Sequence, residues 1–124
     1  MKVIIAGGRT FDDYELLCQH CDKALSRQNE VEIVSGTANG ADKLGEKYAN
    51  NKGYQLKQFP ADWDTYGKSA GYKRNEEMAK YADALIAFWD GESKGTKHMI
   101  DLAKRYDLKV KVVTFNPHAN YQIP

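Results

Sequence analysis

Residues 72–100 read YKRNEEMAKYADALIAFWDGESKGTKHMI, and this stretch decides the fold that the sequence predicts. Its pattern indicates a helix ending near Tyr81, an apolar strand at residues 84–88, a glycine-rich loop and a second helix beginning near Gly95. The strand is short and apolar on both faces, which is typical of a central parallel strand covered by helices on both sides. The stretch therefore predicts a strand–loop–helix unit at the centre of a parallel sheet.

The loop of this unit, residues 89–96, predicts a site for an anion. The helix that follows it has no acidic residue in its first turn. Its free N–H groups and the positive end of its dipole are then available to a phosphate, at roughly 0.3–1 kcal/mol per charge. The first helix of the chain instead begins with Asp12 and Asp13, which would repel a phosphate. We therefore expect the phosphate of a ligand at residues 93–96, with its base or sugar toward the first two loops.

The rest of the chain alternates between strand and helix patterns. Further strands are predicted at residues 2–6, 30–34, 55–59 and 109–115. Further helices are predicted at residues 10–27 and 39–51. The connections are too long for hairpins, so the alternation predicts a parallel sheet with helices on both faces. The expected fold is a three-layer α/β/α sandwich around a five-stranded parallel sheet at residues 1–115, followed by a tail at residues 116–124.

Two of the helices carry start signals. Thr10 and Asn39 are the predicted N-caps, with Asp13 and Asp42 three residues later in the position of a capping box. Asp42 has two interpretations, a structural cap or an acceptor for a hydroxyl of a ligand, and the residues leave both open. Residues 60–69 show no periodicity and are predicted to be irregular.

The glycine-rich loops all follow predicted strands, so they meet at the carboxyl edge of the sheet, where ligands bind in such folds. Trp63 could close over a ligand there, and Arg9 and Arg74 could hold a second anionic group through paired hydrogen bonds. Arg74 could equally pair with Glu77 in its own helix. The predicted ligand-binding residues are Gly7, Gly8, Arg9, Thr10, Ser35, Gly36, Gly40, Asp42, Trp63, Arg74, Asn75, Asp90, Ser93, Gly95 and Thr96.

Composition argues against several classes of protein. The 124 residues are 42% hydrophobic and 28% charged, which is ordinary for one globular domain. A net charge of +1 makes a nucleic-acid surface driven by bulk charge unlikely, so nucleic acid is not an expected partner. No apolar run approaches the roughly 20 residues of a membrane span, and the start MKVIIAGG is too short for a signal peptide. We expect a cytoplasmic protein without a membrane partner, and the sequence is compatible with a homo-oligomer.

The residues that could bind a metal are better explained by packing. Cys18 and Cys21 share the apolar stripe of the first helix with Leu17 and Leu25, so they are predicted to be core thiols. The histidines have no partners at the spacing of metal ligands. His98 is expected to be an exposed helix residue. The sequence therefore predicts no metal site and no cofactor.

Four segments taken together resemble a known superfamily. They are GGRTF after the first strand, SGTANGAD after the second, ADWDTYGKSAGYKRN and ADALIAFWDGESKGT. These segments resemble the SLOG superfamily of Rossmann-like proteins, which includes the DNA-processing Smf/DprA proteins and the LOG phosphoribohydrolases. The similarity is to its small, single-domain, YspA-like branch and spans roughly residues 1–115. It implies a Rossmann-like domain that binds a nucleotide or nucleotide-derived ligand at the edge described above, as a sensor or processing domain.

One departure bears on catalysis. LOG enzymes carry RKxxM followed by ADAFIALPGGxGTxxE, and the resemblance sets Arg74 on their functional arginine. Their closing glutamate falls on Met99, which cannot act as an acid. Asp90, Glu92 or Asp42 would have to supply the carboxylate if this chain cleaved its ligand.

Three functions are consistent with these residues. The first is a binding module for an ADP-ribose-like, NAD-like or nucleoside monophosphate ligand, favoured by the intact loops and the missing glutamate. The second is a LOG-like hydrolase of N-glycosidic or phosphate bonds in nucleotides, with Arg74 holding the phosphate and Asp90 or Asp42 as the acid or base. The third is a single-stranded nucleic-acid binder like Smf/DprA, which the scattered basic residues disfavour.

Overall fold

The structure, a computed structural model, describes residues 1–116. The strands are β1 Lys2–Gly7, β2 Glu32–Ser35, β3 Gln55–Gln58, β4 Ala84–Trp89 and β5 Lys109–Thr114. The helices are α1 Tyr14–Leu25, α2 Ala41–Lys52, α3 Trp63–Tyr66, α4 Ala70–Tyr81 and α5 Lys94–Arg105, with a 3₁₀ turn at Gly67–Ser69 between α3 and α4. Most of the predicted tail, at residues 117–124, lies outside the described residues.

The five strands form one parallel sheet in the order β3-β2-β1-β4-β5. This confirms the predicted α/β class and Rossmann-like sandwich. β1 lies at the centre, with Ile4 opposite Val34 of β2 on one side and Leu85 of β4 on the other. The direction of strand addition reverses between β1 and β4, and such a reversal opens a crevice at the carboxyl edge of the sheet.

The core consists of two apolar clusters, one on each face of the sheet. Side chains alternate along β1, so that Val3 and Ile5 join one cluster and Ile4 the other. The first cluster is covered by α1 and α2, the second by α4 and α5. Cys21 is fully buried in the first, as predicted for a core thiol. Helices therefore cover both faces and leave the carboxyl edge open for a ligand.

The predicted N-caps of α1 and α2 are wrong. The N-cap of α1 is Asp13, whose Oδ1 accepts a hydrogen bond from the N–H of Leu16 at 3.0 Å, so Thr10 lies outside the helix. The N-cap of α2 is Gly40 rather than Asn39. Gly40 has φ +78° and approaches the carbonyl oxygen of Gly8, which a side chain at this position would contact at 2.3 Å. Contact between two loops, not a local cap, sets the start of α2.

Residues 60–69 are more regular than predicted, because they include α3 and the 3₁₀ turn. Asp62 caps α3 by accepting a hydrogen bond from the N–H of Thr65 at 3.1 Å. A single turn of helix is too short to produce the periodicity on which the prediction depended. Within residues 1–116, no helix is both long and apolar enough to cross a membrane.

Candidate functional site

A cavity of about 500 Å³ opens at the carboxyl edge of the sheet, beyond the ends of β1 and β4. We call it the inner cavity. Of the predicted ligand-binding residues, all except Ser35, Gly36 and Gly40 line it. Those that do are Gly7, Gly8, Arg9, Thr10, Asp42, Trp63, Arg74, Asn75, Asp90, Ser93, Gly95 and Thr96.

A second cavity of about 410 Å³ adjoins the first, and we call it the outer cavity. Four residues border both cavities: Arg9, Ala38, Trp63 and Arg74. The remaining lining of the outer cavity comes from Gly36, Thr37, Asn39, Pro60 and Ala61. The two cavities are thus neighbouring compartments at one edge of the sheet.

Ser35 and Gly40 support the loops instead of lining a cavity. The Ser35 hydroxyl is buried, donates to Glu46 Oε2 at 2.7 Å and accepts from the N–H of Thr37 at 3.0 Å. Glu46 also accepts a hydrogen bond from Gln58 Nε2 at 3.1 Å. These bonds join the β2–α2 loop to α2 and β3. Sequence reasoning missed Glu46, because only the fold brings it under the loop.

Arg74 lies on α4 and reaches across to the β2–α2 loop. Its Nη1 donates to the carbonyl oxygen of Gly36, and its Nε donates to Asn75 Oδ1 at 3.0 Å. The alternative pairing with Glu77 is wrong, because within residues 1–116 Arg74 forms no ion pair. Burial lowers the pKa of Arg74, and the nearby Asp42 carboxylate opposes that shift. A half-buried guanidinium with unused N–H groups is suited to an anionic ligand.

Asp42 is 5% exposed, and its Oδ2 accepts a hydrogen bond from the N–H of Ala38 at 3.1 Å. Burial raises the pKa of Asp42 to about 6, in opposition to that hydrogen bond and to the charge of Arg74. Both groups border Gly36, where an added Cβ would lie 2.8 Å from Arg74 Nη1 and 2.8 Å from Asp42 Oδ2. The carboxyl can therefore gain or lose a proton near neutral pH beside a fixed cation.

Asn75 is buried and connects α4 to α5. Its Nδ2 lies 3.3 Å from the carbonyl oxygen of Gly95 and 3.2 Å from His98 Nδ1. His98 is half-buried and packs edge-on against Tyr72, with ring centroids 4.5 Å apart, so the expectation of an exposed histidine is wrong. Burial lowers the pKa of His98. These contacts fix the start of α5 relative to α4, and hence the shape of the inner cavity.

The β4–α5 loop is organised by Asp90. Its Oδ1 accepts hydrogen bonds from the N–H groups of Glu92 and Ser93, both at 2.8 Å, and these bonds lower the pKa of Asp90. Ser93 Oγ in turn caps α5 by accepting from the N–H of Thr96 at 3.4 Å. Within residues 1–116, the N–H groups of Lys94 and Gly95 have no hydrogen-bond partner. The backbone N–H groups that remain free at the start of α5 are thus fewer than the sequence suggests.

The aromatic residues around the site have different roles. Trp63 is 53% exposed and borders both cavities, a position from which it could cover a ligand. Trp89 is half-buried and donates its indole N–H to the carbonyl oxygen of Ser93 at 3.1 Å, so it stabilises its own loop. Tyr72 also lines the inner cavity and is 47% exposed.

Sequence reasoning missed several lining residues of the inner cavity. Among them are Lys68, which lies in the 3₁₀ turn, and Gly71 and Tyr72, which lie in the first turn of α4. Met78 and Met99 form a buried apolar part of its wall. Their helical spacing indicates burial but not a cavity, so no local signal could have identified them as lining residues. Within residues 1–116, no three His, Cys, Asp or Glu side chains are grouped so that they could hold a metal ion.

Comparison with known proteins places the chain in a family and identifies a relative. The family model described as the YspA, cpYpsA-related SLOG family matches residues 1–66, which include β1 to β3 and the first two loops of the site. Gene 61 protein of Mycobacterium phage D29 is 32% identical over 116 residues, a match that covers 88% of this chain and 93% of the phage protein. No solved structure matches the chain.

Proposed function

Because this chain belongs to the YspA, cpYpsA-related SLOG family, we propose that its inner cavity binds a nucleotide or nucleotide-derived ligand, as a sensor or processing domain. Family membership indicates a nucleotide-related function in general. The observation that carries the proposal is the cavity itself, which lies at the switch point of a parallel sheet and combines apolar walls with polar loops. A base fits the apolar wall formed by Met78 and Met99, whereas a phosphate suits the cationic groups and free N–H donors.

Three features support a phosphate at the start of α5. The N–H groups of Lys94 and Gly95 are free within the described residues, and the first turn of α5 contains no acid. Lys68 lines the same cavity and adds a positive charge. A phosphate there would receive hydrogen bonds from the backbone and attraction from the helix dipole.

The proposal is tested by thermal unfolding with AMP, ADP-ribose, NAD and cyclic dinucleotides, followed by mass analysis of each mixture. A ligand at a hundred times its Kd adds about 2.7 kcal/mol to the free energy of unfolding, which raises Tm measurably. Arg74→Gln should weaken binding about tenfold or more, because a hydrogen bond to a charged group contributes roughly 1.5–3 kcal/mol. Lys73→Gln is the matched control, since Lys73 is exposed, adjacent in sequence and outside both cavities. Absence of any Tm shift across the panel would contradict the proposal.

Hydrolysis of the bound nucleotide is a second candidate, favoured by the Asp42 carboxyl. Its pKa of about 6 suits an acid or base near neutral pH, whereas the ionised Asp90 carboxylate is engaged by two N–H groups of its own loop. In such a reaction the water oxygen bonds to the sugar carbon or phosphorus while the bond to the leaving group breaks. A protonated Asp42 gives its proton to the leaving group, and the proton that the attacking water loses restores the protonated Asp42. Met99 cannot fill this role.

The candidate reaction is tested by following release of a base or sugar phosphate by mass analysis. We expect Asp42→Asn to abolish turnover while binding persists, and kcat/KM of the unmodified protein to change near pH 6. Asp90→Asn is the comparison, because its carboxylate holds the loop and its loss should weaken binding together with turnover. An intact ligand recovered after prolonged incubation would leave binding as the function and exclude the hydrolase.

A further inference from the structure

The charges around the outer cavity are all of one sign. Its lining contains two guanidinium groups, those of Arg9 and Arg74, and no aspartate or glutamate. The inner cavity, by contrast, includes the carboxyl groups of Asp42 and Asp90. An anionic group is therefore favoured in the outer cavity by charge alone, since two like charges near each other attract a counter-ion.

Neither guanidinium forms an ion pair within residues 1–116, and the nearest carboxylate, that of Asp42, compensates only Arg74 and only in part. Within residues 1–116, the side chain of Arg9 forms no hydrogen bond and no ion pair. It borders the outer cavity from an exposed position. Arg74 uses Nη1 and Nε in bonds to Gly36 and Asn75, which leaves further N–H groups of its five. Burial lowers the pKa of Arg74, the Asp42 carboxylate opposes that shift, and repulsion from Arg9 adds to it. An anion between the two guanidinium groups would relieve that repulsion and accept the unused hydrogen bonds.

The two cavities can be occupied by one molecule. Arg9, Ala38, Trp63 and Arg74 border both cavities and form their common boundary, and Arg9 and Trp63 are exposed there. Arg74 is held at the boundary by the carbonyl oxygen of Gly36, which fixes its guanidinium between the compartments. A ligand in the inner cavity would reach the outer one along this shared boundary, over the exposed side chains of Arg9 and Trp63.

We infer that the outer cavity binds a second anionic group of the same ligand, so that the ligand is a nucleotide carrying a second phosphate rather than a nucleoside monophosphate. This inference depends on the proposed function. The first phosphate and the base occupy the inner cavity, and the second phosphate lies between Arg9 and Arg74. Preference for the longer ligand then comes from the outer cavity alone.

The test compares monophosphates and diphosphates of adenosine, guanosine, cytidine and uridine, together with ADP-ribose, by calorimetric titration. The best diphosphate or ADP-ribose should bind at least about tenfold more tightly than its monophosphate, as expected from one additional charge-assisted contact. Ala61→Trp fills the outer cavity, because Ala61 lines it and does not line the inner one. This substitution should remove the tenfold preference and leave the affinity for the monophosphate within about twofold.

A charge variant tests the same site without changing its volume much. Asn39→Glu introduces a carboxylate at an exposed position on the outer cavity and should also remove the preference for the second phosphate. Gln55→Glu is the matched control, since it makes the same change of charge at another exposed position. Gln55 lies at the start of β3, which is the end of that strand away from both cavities. Tm without ligand, measured first for each variant, establishes that the fold is retained.

The outcomes separate the two proposals. Equal affinity for monophosphate and diphosphate, or a preference that survives both Ala61→Trp and Asn39→Glu, overturns the inference and leaves the proposed function intact. Absence of binding by every nucleotide in the series counts against the proposed function and this inference together. A preference that Ala61→Trp removes but Asn39→Glu does not would show a neutral group in the outer cavity, which also overturns the inference.

Discussion

At the scale of single residues, Asp42 links protonation to folding. Its pKa in the folded protein, about 6, exceeds the 3.8 of an unperturbed aspartate because the carboxyl is buried. The folded state therefore binds more protons than the unfolded state between about pH 4 and pH 6, so this group contributes stability at low pH that is lost as the pH rises through that window. The position of Asp42 thus costs stability near neutral pH, which is common where a residue serves a function.

Asp42→Asn should relieve this cost. The amide carries no charge and retains an oxygen that can accept the N–H of Ala38, so we expect the free energy of unfolding at pH 7 to rise by roughly 1–3 kcal/mol, at about 1.4 kcal/mol per pKa unit. Below about pH 4 the gain should disappear. Urea unfolding at several pH values measures the effect.

Asp90→Asn provides the comparison of opposite sign. The pKa of Asp90 is lowered by two backbone N–H groups, so its stabilising contribution is present above the unfolded pKa and is lost as the pH falls. This variant should be less stable than the unmodified protein at pH 7. A variant at Asp42 that is also destabilised at pH 7 would refute the account of its burial.

At the scale of elements, the first two loops of the site are joined through Gly40. The carbonyl oxygen of Gly8 accepts hydrogen bonds from the N–H groups of Phe11 and Ala41, both at 3.2 Å. A side chain at position 40 would contact that oxygen at 2.3 Å and the carbonyl oxygen of Arg9 at 2.6 Å. The loops can therefore approach this closely only because position 40 is glycine.

Gly40→Ala should consequently destabilise the protein by roughly 2–4 kcal/mol, through backbone strain together with separation of the loops. Gly67→Ala is the matched control, because Gly67 has nearly the same backbone conformation (φ +56°, ψ −131°, against φ +78°, ψ −126° for Gly40) but no atoms within 4 Å of the added Cβ. Its cost should be near the roughly 1–3 kcal/mol of the backbone strain alone. If urea unfolding showed the same loss of unfolding free energy for both variants, contact between the loops would add nothing to the cost of a side chain at position 40.

Regular elements could be predicted from the sequence, whereas the contacts between them could not. The apolar run at Ala84–Trp89 and the alternation of patterns are local, so they indicated a parallel sheet and the edge at which its loops meet. The N-cap of α2 was mispredicted because Gly8, 32 residues before Gly40 in the chain, determines where α2 begins. The burial of Asp42 and the outer cavity depend similarly on Arg74, which reaches the β2–α2 loop only in the folded chain.

At the scale of the whole molecule, Cys21 reports on global unfolding. It is fully buried between α1 and the sheet, and burial raises the pKa of its thiol to about 12. A thiol that is neutral and inaccessible does not react with disulfide reagents until the core opens.

In a Cys18→Ser variant, which leaves Cys21 as the single cysteine, labelling in native buffer should occur only at the rate of unfolding. Labelling above the urea midpoint should be complete within the mixing time of a manual assay. The rate is followed by the absorbance of the released thiol. Rapid labelling without urea would show that α1 opens independently of the rest of the core.

The strand order also has a consequence for synthesis of the chain. β1 emerges from the ribosome first, but its partner β4 begins at Ala84. Translation proceeds at roughly 5–20 residues per second, so roughly 4–15 s pass between the synthesis of β1 and that of β4. During this interval its backbone groups facing β4 remain open, and an open apolar edge pairs readily with other chains. Any pause in translation before Ala84 would therefore prolong the period in which the nascent protein needs a chaperone.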